Sequence, residues 1–439
     1  MKSLAIPAQA LGIERLMIKE DLFRLVTSAP LLHRSAGVDG DRGKSQRLTS
    51  RIFRQRTTML GSEPQAEDDT SQTTPAAPRI IKILHVTESL GGGVLECLVE
   101  LAGAQSAAGH DVYLLYSRRP DTPSEQEINR RFAGLAAVRS VGEGPVPLLL
   151  RQMRRAMVDL ERGVGLDVVH LHSSFAGLLR GVLPSSLVRR VLYTPHGYAF
   201  MRDDFSTLIR ALTWGAELTL QRRSGTIAVG ADEAEQCRHY LRSNRVSILH
   251  NRVNTRLVPC HDPAVRPLIV NMSRITKHKA ADRFAAVARR MSTEADFIWI
   301  GDGDSALKER HFHDSLVEVT GWLSREEALQ QLARAHVLLS CSRAEGLPLS
   351  VVQAQAIGIP VVLSDIPGHR DAIADGMTGY LARSLDEAVH YCRRLLSDRA
   401  TAVKMGAEGR RLARARYDSG TLADESLSTY ASLTLRNNV

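Results

Sequence analysis

From Arg79 onward, short apolar blocks alternate with longer stretches of helical periodicity, and that rhythm predicts layered α/β units. The first block, IIKILHV, is followed by Gly91-Gly92-Gly93, a helical stretch VLECLVELAGAQSAAGH, and a second block DVYLLYS. Strand, glycine loop, helix, strand is the order of a βαβ unit, whose strands run parallel. The series continues with DVVHLHS, RRVLYTPHG, GTIAVG and VSILHN. These blocks are apolar throughout rather than alternating, as expected of strands covered on both faces. A polar stretch, PCHDPAVRP (residues 259–267), interrupts the rhythm. It restarts with LIVNMSR, DFIWIGDG, SLVEVTGW, HVLLSCS and IPVVLSD, with helices predicted over 280–291, from Ser324 to Ala335, from Ser350, and over 400–435.

The pattern therefore predicts two doubly wound α/β domains, residues 79–258 and 259–439, with the final helix able to pack back on the first. Ligands of open α/β sheets bind at the carboxyl ends of the strands, so two such domains facing each other would share a central cleft. Residues 1–78 read differently. A basic run from Arg42 to Arg56 precedes GSEPQAEDDTSQTTPAAP, a composition unable to bury a core, and the segment is expected to be a disordered, solvated extension. The opening MKSLAIPAQA is too short in its apolar part, and broken by Pro7, for a signal peptide.

Composition narrows the class. Hydrophobic residues at 44% and charged residues at 24% of 439 exclude a disordered, collagen-like or coiled-coil chain. The net charge is +9, and residues 79–260 hold most of the excess, 23 basic against 17 acidic groups, 22 of them Arg. That favours an anionic or phosphate-bearing partner for the first domain, scattered solvated arginines being the plainer reading. Five widely spaced cysteines without a CxxC pair indicate neither disulfides nor zinc. No apolar run reaches the ~18 residues of a membrane span, so a cytoplasmic protein with at most peripheral contact to an anionic membrane is expected, and no nucleic-acid partner.

Several motifs carry candidate chemistry. Leu90-Gly91-Gly92-Gly93 lets backbone amides approach a ligand at a helix N-terminus, although neither GxGxxG nor an acid closing the second strand supports a dinucleotide site. Ser273-Arg274-Ile275-Thr276-Lys277-His278-Lys279 follows a strand, where Arg274 and Lys279 would suit a pyrophosphate clamp; a solvated basic loop fits equally. Cys341 to Pro348 ends a strand and opens a helix, with Glu345 placed to accept hydrogen bonds from sugar hydroxyls. His170 and His172 share one side of their strand, but a pair with no third ligand in view makes a poor zinc site, so no metal is expected. Trp214, Trp299 and Trp322 are expected to pack rather than to bind substrate.

Taken together, the glycine loop, TPHGYAFMRDD, SRITKHK, IGDGD and EGLPLSVVQAQAIGIPVVLSDIPGHRDAIADGMTGYLA resemble family-4 glycosyltransferases of the GT-B fold, over residues 79 to about 435. The style of HLHSS and TPHGYAF is similar to that of bacterial enzymes building cell-surface polysaccharides, including exopolysaccharide and lipopolysaccharide. The resemblance implies a retaining, metal-independent transfer of a sugar from a nucleotide-diphosphate sugar to a saccharide hydroxyl, on a lipid-linked acceptor, without a cofactor. It implies that Arg274 and Lys279 bind the donor phosphates, that Glu345 contacts the sugar with the amides of Gly346 and Leu347, that His196 lies in the cleft, and that Gly92 and Gly93 face the phosphates. Gln353 stands seven residues after Glu345, where the family carries a second, ribose-binding glutamate, and it can still donate and accept hydrogen bonds. Asn251-Arg252-Val253-Asn254 replaces the family's usual NGxD. A nucleotide-sugar 2-epimerase and a non-catalytic or partner-dependent subunit are the alternatives, the second prompted by Gln353.

Overall fold

The computed structural model describes residues 79–202, 205–313 and 316–434; the extension expected over residues 1–78 lies outside the described residues. Seven parallel strands form the first sheet: β1 (Lys82–Thr87), β2 (Asp111–Tyr116), β3 (Ala137–Ser140), β4 (Val168–His172), β5 (Val191–Thr194), β6 (Gly225–Ala228) and β7 (Val246–Ile248). Their order is β3-β2-β1-β4-β5-β6-β7. A second parallel sheet holds β8 (Leu268–Met272), β9 (Asp296–Ile300), β10 (Val317–Val319), β11 (Val337–Ser340), β12 (Val361–Ser364) and β13 (Tyr380–Ala382), in the order β10-β9-β8-β11-β12-β13. The fold is thus a pair of parallel-sheet α/β lobes, as the apolar blocks predict.

Each sheet reverses its winding beside its first strand, between β1 and β4 and between β8 and β11. Gly91-Gly92-Gly93 follows β1, His172 ends β4, Arg274 follows β8, and Cys341 to Leu347 follows β11. All four lie at carboxyl ends flanking a switch point, where a doubly wound sheet opens a crevice. Burial explains why the strands read as apolar: β4, β5 and β6 are buried at every position. The exceptions to apolarity are informative, because His85, His170, His172 and Thr194 are also almost wholly enclosed.

Three expectations need correcting. β3 and β13 carry no apolar block long enough to mark them; each is only four or three residues, at a sheet edge. The helix read over 400–435 is two, Arg399–Arg416 and Leu422–Thr434. Between them Asp418 turns the chain, accepting from the backbone N–H groups of Thr255 and Gly420, while Tyr417 donates its phenol to the Asp371 carbonyl. The second helix crosses to the first lobe, where Leu422, Tyr430 and Leu433 join a core with Ile83, Leu101, Leu192 and Ile227. Of the tryptophans only Trp299 packs; Trp214 and Trp322 are exposed.

Candidate functional site

The cleft is assembled from loops that the two sheets hold rigid. On the first lobe, the helix Gly92–Ala107 begins straight after the glycine loop, and no side chain caps its first amides. Such an end offers unpaired N–H groups and a partial positive charge to an anion. Gly92 has φ 51°, and a Cβ there would come within 3.2 Å of Arg274 Nε, so the loop closes directly on the second lobe. Gly93 is exposed, with open space around its Cα.

Arg274 reaches across and pairs with Asp121, which follows β2. Lys279 is occupied too: its ammonium contacts both carboxylate oxygens of Glu345, at 2.6 and 2.8 Å. Burial alone would raise the Glu345 carboxyl, but the positive charges of Lys279, His369 and His278 outweigh it and hold the group at about 2. Glu345 is therefore an anion throughout the physiological range. The two basic residues between the clamp positions, Lys277 and His278, also line a 400 Å³ cavity with Arg310, His311 and Arg343. Within the SRITKHK loop, Arg274 and Lys279 form ion pairs with the cleft carboxylates Asp121 and Glu345.

The Glu345-Gly346-Leu347 turn is locked from two sides. Gly368, at φ 76°, packs so closely that a Cβ would fall 1.9 Å from the Gly346 carbonyl oxygen and 2.7 Å from that of Glu345. From the first lobe, the His196-Gly197 turn lies against Gly346, the carbonyl carbon of His196 being 3.8 Å from its Cβ position. His196 adopts φ 53°, unusual for a side chain with a Cβ. Glu233 holds that turn by accepting the N–H groups of Gly197 and Val229, at 2.6 and 2.7 Å. The cleft thus brings together His196, Gly346, Glu345 and Lys279 in one chain of contacts, with Gly92 and Arg274 in another. Gln353 is buried on the helix Leu349–Ile357 that Pro348 opens, and its amide makes no hydrogen bond among the described residues.

Sequence reasoning missed several participants. Asp121 sits in the turn RRPDT, which carries no pattern to mark it. The Asn251-Arg252-Val253-Asn254 turn proves to be a junction between lobes. Asn251 accepts from the Cys97 thiol and donates to the Leu347 carbonyl, and Arg252 pairs with Glu425. The view of His170 and His172 as lacking a third histidine is wrong, because His85 on the neighbouring strand brings a ring nitrogen within 4.8 Å of theirs. Register pairs His85 directly with His170 and Thr87 with His172, so the third ring was legible only once β1 and β4 were known to be neighbours. All six nitrogens of these three rings are already engaged in hydrogen bonds. A metal ion there would have to displace most of that network.

Comparison with known proteins follows the same outline. Residues 91–257 match the model for Glycosyltransferase Family 4, and residues 266–398 match that for Glycosyl transferases group 1. A Klebsiella pneumoniae protein described as an uncharacterized 41.2 kDa protein in the cps region is 27% identical over 238 residues, 50% of this chain and 66% of its own length. An Escherichia coli UDP-Gal:alpha-D-GlcNAc-diphosphoundecaprenol alpha-1,3-galactosyltransferase is 23% identical, over 53% of this chain and 67% of its own. The chain thus spans about two thirds of the length of these curated relatives. Among solved structures, sucrose-phosphate synthase from Thermosynechococcus elongatus superimposes with a TM-score of 0.70 at 17% identity, covering 81% of this chain and all of that one. Anabaena HepE in complex with UDP-glucose gives 0.65 at 16% identity, covering 80% of this chain and all of that one.

Proposed function

The chain belongs to the family-4 glycosyltransferases of GT-B fold, and on that premise we propose that it moves a sugar, with retention at the anomeric carbon, from a nucleotide-diphosphate sugar to a hydroxyl of a lipid-linked saccharide. The observation that carries this reading is the placing of Arg274 and Lys279 at the mouth of the cleft, beside Glu345 and the open end of the helix Gly92–Ala107. Arg274 offers a planar fork of donors and Lys279 a compact charge, the two forms of cation that suit a pyrophosphate. As the bond from the anomeric carbon to the phosphate oxygen breaks, negative charge builds on the departing diphosphate. These cations and amides stabilise it once it has displaced Asp121 from Arg274 and shares Lys279 with Glu345. The acceptor oxygen bonds to the same carbon from the face the diphosphate leaves, and its proton passes to the leaving phosphate. These residues supply leaving-group stabilisation themselves, so the proposed reaction is metal-independent and needs no cofactor.

Glu345, ionised and fixed by Lys279, accepts from hydroxyls of the transferred sugar, with the amides of Gly346 and Leu347 beside it. Gln353 serves the ribose hydroxyls as a neutral hydrogen-bonding group. The name of the Escherichia coli relative specifies a diphosphoundecaprenol-linked acceptor, and the Klebsiella relative lies in a cps region, which supports a role in cell-surface polysaccharide biosynthesis at a membrane. No helix among the described residues is long and apolar enough to cross one. Exposed Arg151, Arg154, Arg155 and Arg189 give the first lobe a surface for peripheral contact with anionic lipid.

The test is release of nucleoside diphosphate from a panel of nucleotide sugars, with membranes as acceptor. Arg274→Ala and Lys279→Ala are each expected to lower turnover by about a hundredfold or more. Near-normal rates in both would overturn the clamp, and no turnover by the unmodified protein would overturn the transfer. Gln353 favours one second reading, a partner-dependent subunit. It predicts tight nucleotide binding with turnover only on co-expression of the partner.

A further inference from the structure

The buried polar chain behind the cleft contains more information than its distances alone, because its hydrogens can be assigned one by one. It begins on the C-terminal helix. Ser426 donates its only hydroxyl hydrogen to the Ala423 carbonyl at 2.7 Å, so its oxygen must accept from Gln105, whose Nε2 lies 2.9 Å away. That fixes the orientation of the Gln105 amide and turns its Oε1 toward His85. An amide oxygen only accepts. His85 therefore carries its proton on Nε2, 2.8 Å from Gln105, and presents a bare Nδ1 to His172 Nε2 at 2.9 Å. His172 donates there, which leaves its own Nδ1 to accept from His196 Nε2 at 3.0 Å. The proton of His196 is thereby assigned to Nε2, and its Nδ1 keeps a lone pair.

A side branch agrees. The second hydrogen of the Gln105 amide goes to Tyr430 at 3.0 Å, Tyr430 donates to His170 Nδ1 at 2.9 Å, and His170 donates from Nε2 to Thr194 at 2.8 Å. Every link has one hydrogen and one acceptor, and all the rings are neutral. With the hydrogens so placed, an extra proton on a ring would set two donors facing each other inside the core, except at the open Nδ1 of His196.

We propose that Gln105, held by the C-terminal helix, is a positioning residue that sets the tautomer of the cleft histidine, so that His196 meets the substrate with an unprotonated Nδ1. This rests on the transfer reading above for what the histidine meets. His196 Nδ1 makes no hydrogen bond among the described residues, and His196 is half-buried where its turn touches Gly346. A bare ring nitrogen accepts from a hydroxyl and repels a phosphate oxygen. His196 accordingly recognises a hydroxyl of the sugar or of the acceptor, and the diphosphate is left to Arg274 and Lys279. The arrangement gives the long return of the C-terminal helix a purpose beyond packing, since Ser426 and Tyr430 settle which way the Gln105 amide faces.

Two readouts test this in the full-length protein. Long-range ¹H–¹⁵N NMR of ¹⁵N-histidine-labelled protein, with His196→Asn to assign the ring, reports the tautomer without any substrate. The expected spectrum has protonated Nε2 and bare Nδ1; a protonated Nδ1 in the unmodified protein overturns the proposal. Gln105→Met keeps the length of the side chain but removes the acceptor, and should give a mixture of tautomers and lower kcat about tenfold with little change in donor KM. His196→Asn places a carbonyl oxygen near the position of Nδ1 and needs no tautomer. In that background Gln105→Met should cost less than about twofold, whereas an equal loss in both backgrounds overturns the proposal. Ser426→Ala, which frees the amide to turn, is the milder variant and should shift the tautomer the same way; an unchanged His196 spectrum in Ser426→Ala and Gln105→Met alike also overturns it. Absence of turnover in all these proteins would fall on the transfer reading and leave the NMR result to decide the network.

Discussion

The carboxylate of Asp121 lies between Arg274 and the open end of the helix Gly92–Ala107, in the place where an anionic ligand would be expected. A Cβ on Gly91 would stand 2.8 Å from an Asp121 carboxylate oxygen, so the acid is pressed against the start of that helix. In the proposed reaction a donor diphosphate has to compete with Asp121 for Arg274, just as it shares Lys279 with Glu345. The two pairs differ in consequence. Glu345 keeps a task once the donor is bound, because it can turn a carboxylate oxygen to the sugar, whereas Asp121 has only repulsion to offer a phosphate. Asp121→Asn is therefore expected to tighten nucleoside diphosphate binding about fivefold, or ~1 kcal/mol, measured by calorimetry at fixed salt. Weaker binding would mean that Asp121 orients Arg274 for the phosphate instead of opposing it.

At the scale of elements, the helix Leu422–Thr434 decides how the two halves of the chain are tied. Leu433 is 2% exposed and packs on Leu192 and on Gly225, where a Cβ would approach within 2.9 Å of it. Leu433→Ala should cost about 2–4 kcal/mol, read from urea unfolding, and should loosen the Gln105 anchor with it; a loss under about 0.5 kcal/mol would show that the helix is not held by this contact. The sequence announced a C-terminal helical stretch but not its break, since Asp418 acts through Thr255, 163 positions away in the chain. The same limit explains the other omissions. Strands such as β4 and β5 are legible because burial on both faces writes itself into every position. β3 and β13 are four and three residues long at sheet edges, and β3 is exposed at alternate positions, so no sustained apolar run marks them. Arg274, Lys279 and Glu345 could be picked out because each lies in a loop that follows an apolar strand, and His196 because TPHGYAF resembles the family's motif. Asp121, Asn251 and Gln105 could not, because their positions in the site depend on pairing between distant segments.

For the whole molecule, the histidine core sets the response to acid. Burial lowers His85 and His196 to about 4 and puts His170 and His172 well below their ordinary value. In the unfolded chain all four titrate near ~6.5. Between that value and 4 the unfolded state binds protons that the folded state refuses, so each imidazole contributes stability that is present above ~6.5 and lost as the pH falls. Glu233 works in the opposite direction: burial raises it to about 7, so the fold keeps it protonated where the unfolded chain does not. Its contribution grows as the pH falls through 7. Glu345, held at about 2, stays charged in both states above pH 5 and does not enter. Moving from pH 7.5 to 5.5 therefore removes stability through each of the four histidines and restores part of it through Glu233, a net loss on the order of a few kcal/mol. The thermal unfolding midpoint should accordingly drop by several degrees between these two pH values at constant ionic strength. His85→Gln, which removes one of the four imidazoles, should lower the midpoint at pH 7.5 but make it less sensitive to pH. A midpoint that rises on acidification would show instead that Glu233, and not the histidine chain, governs the balance, and that the buried rings take up protons within the fold.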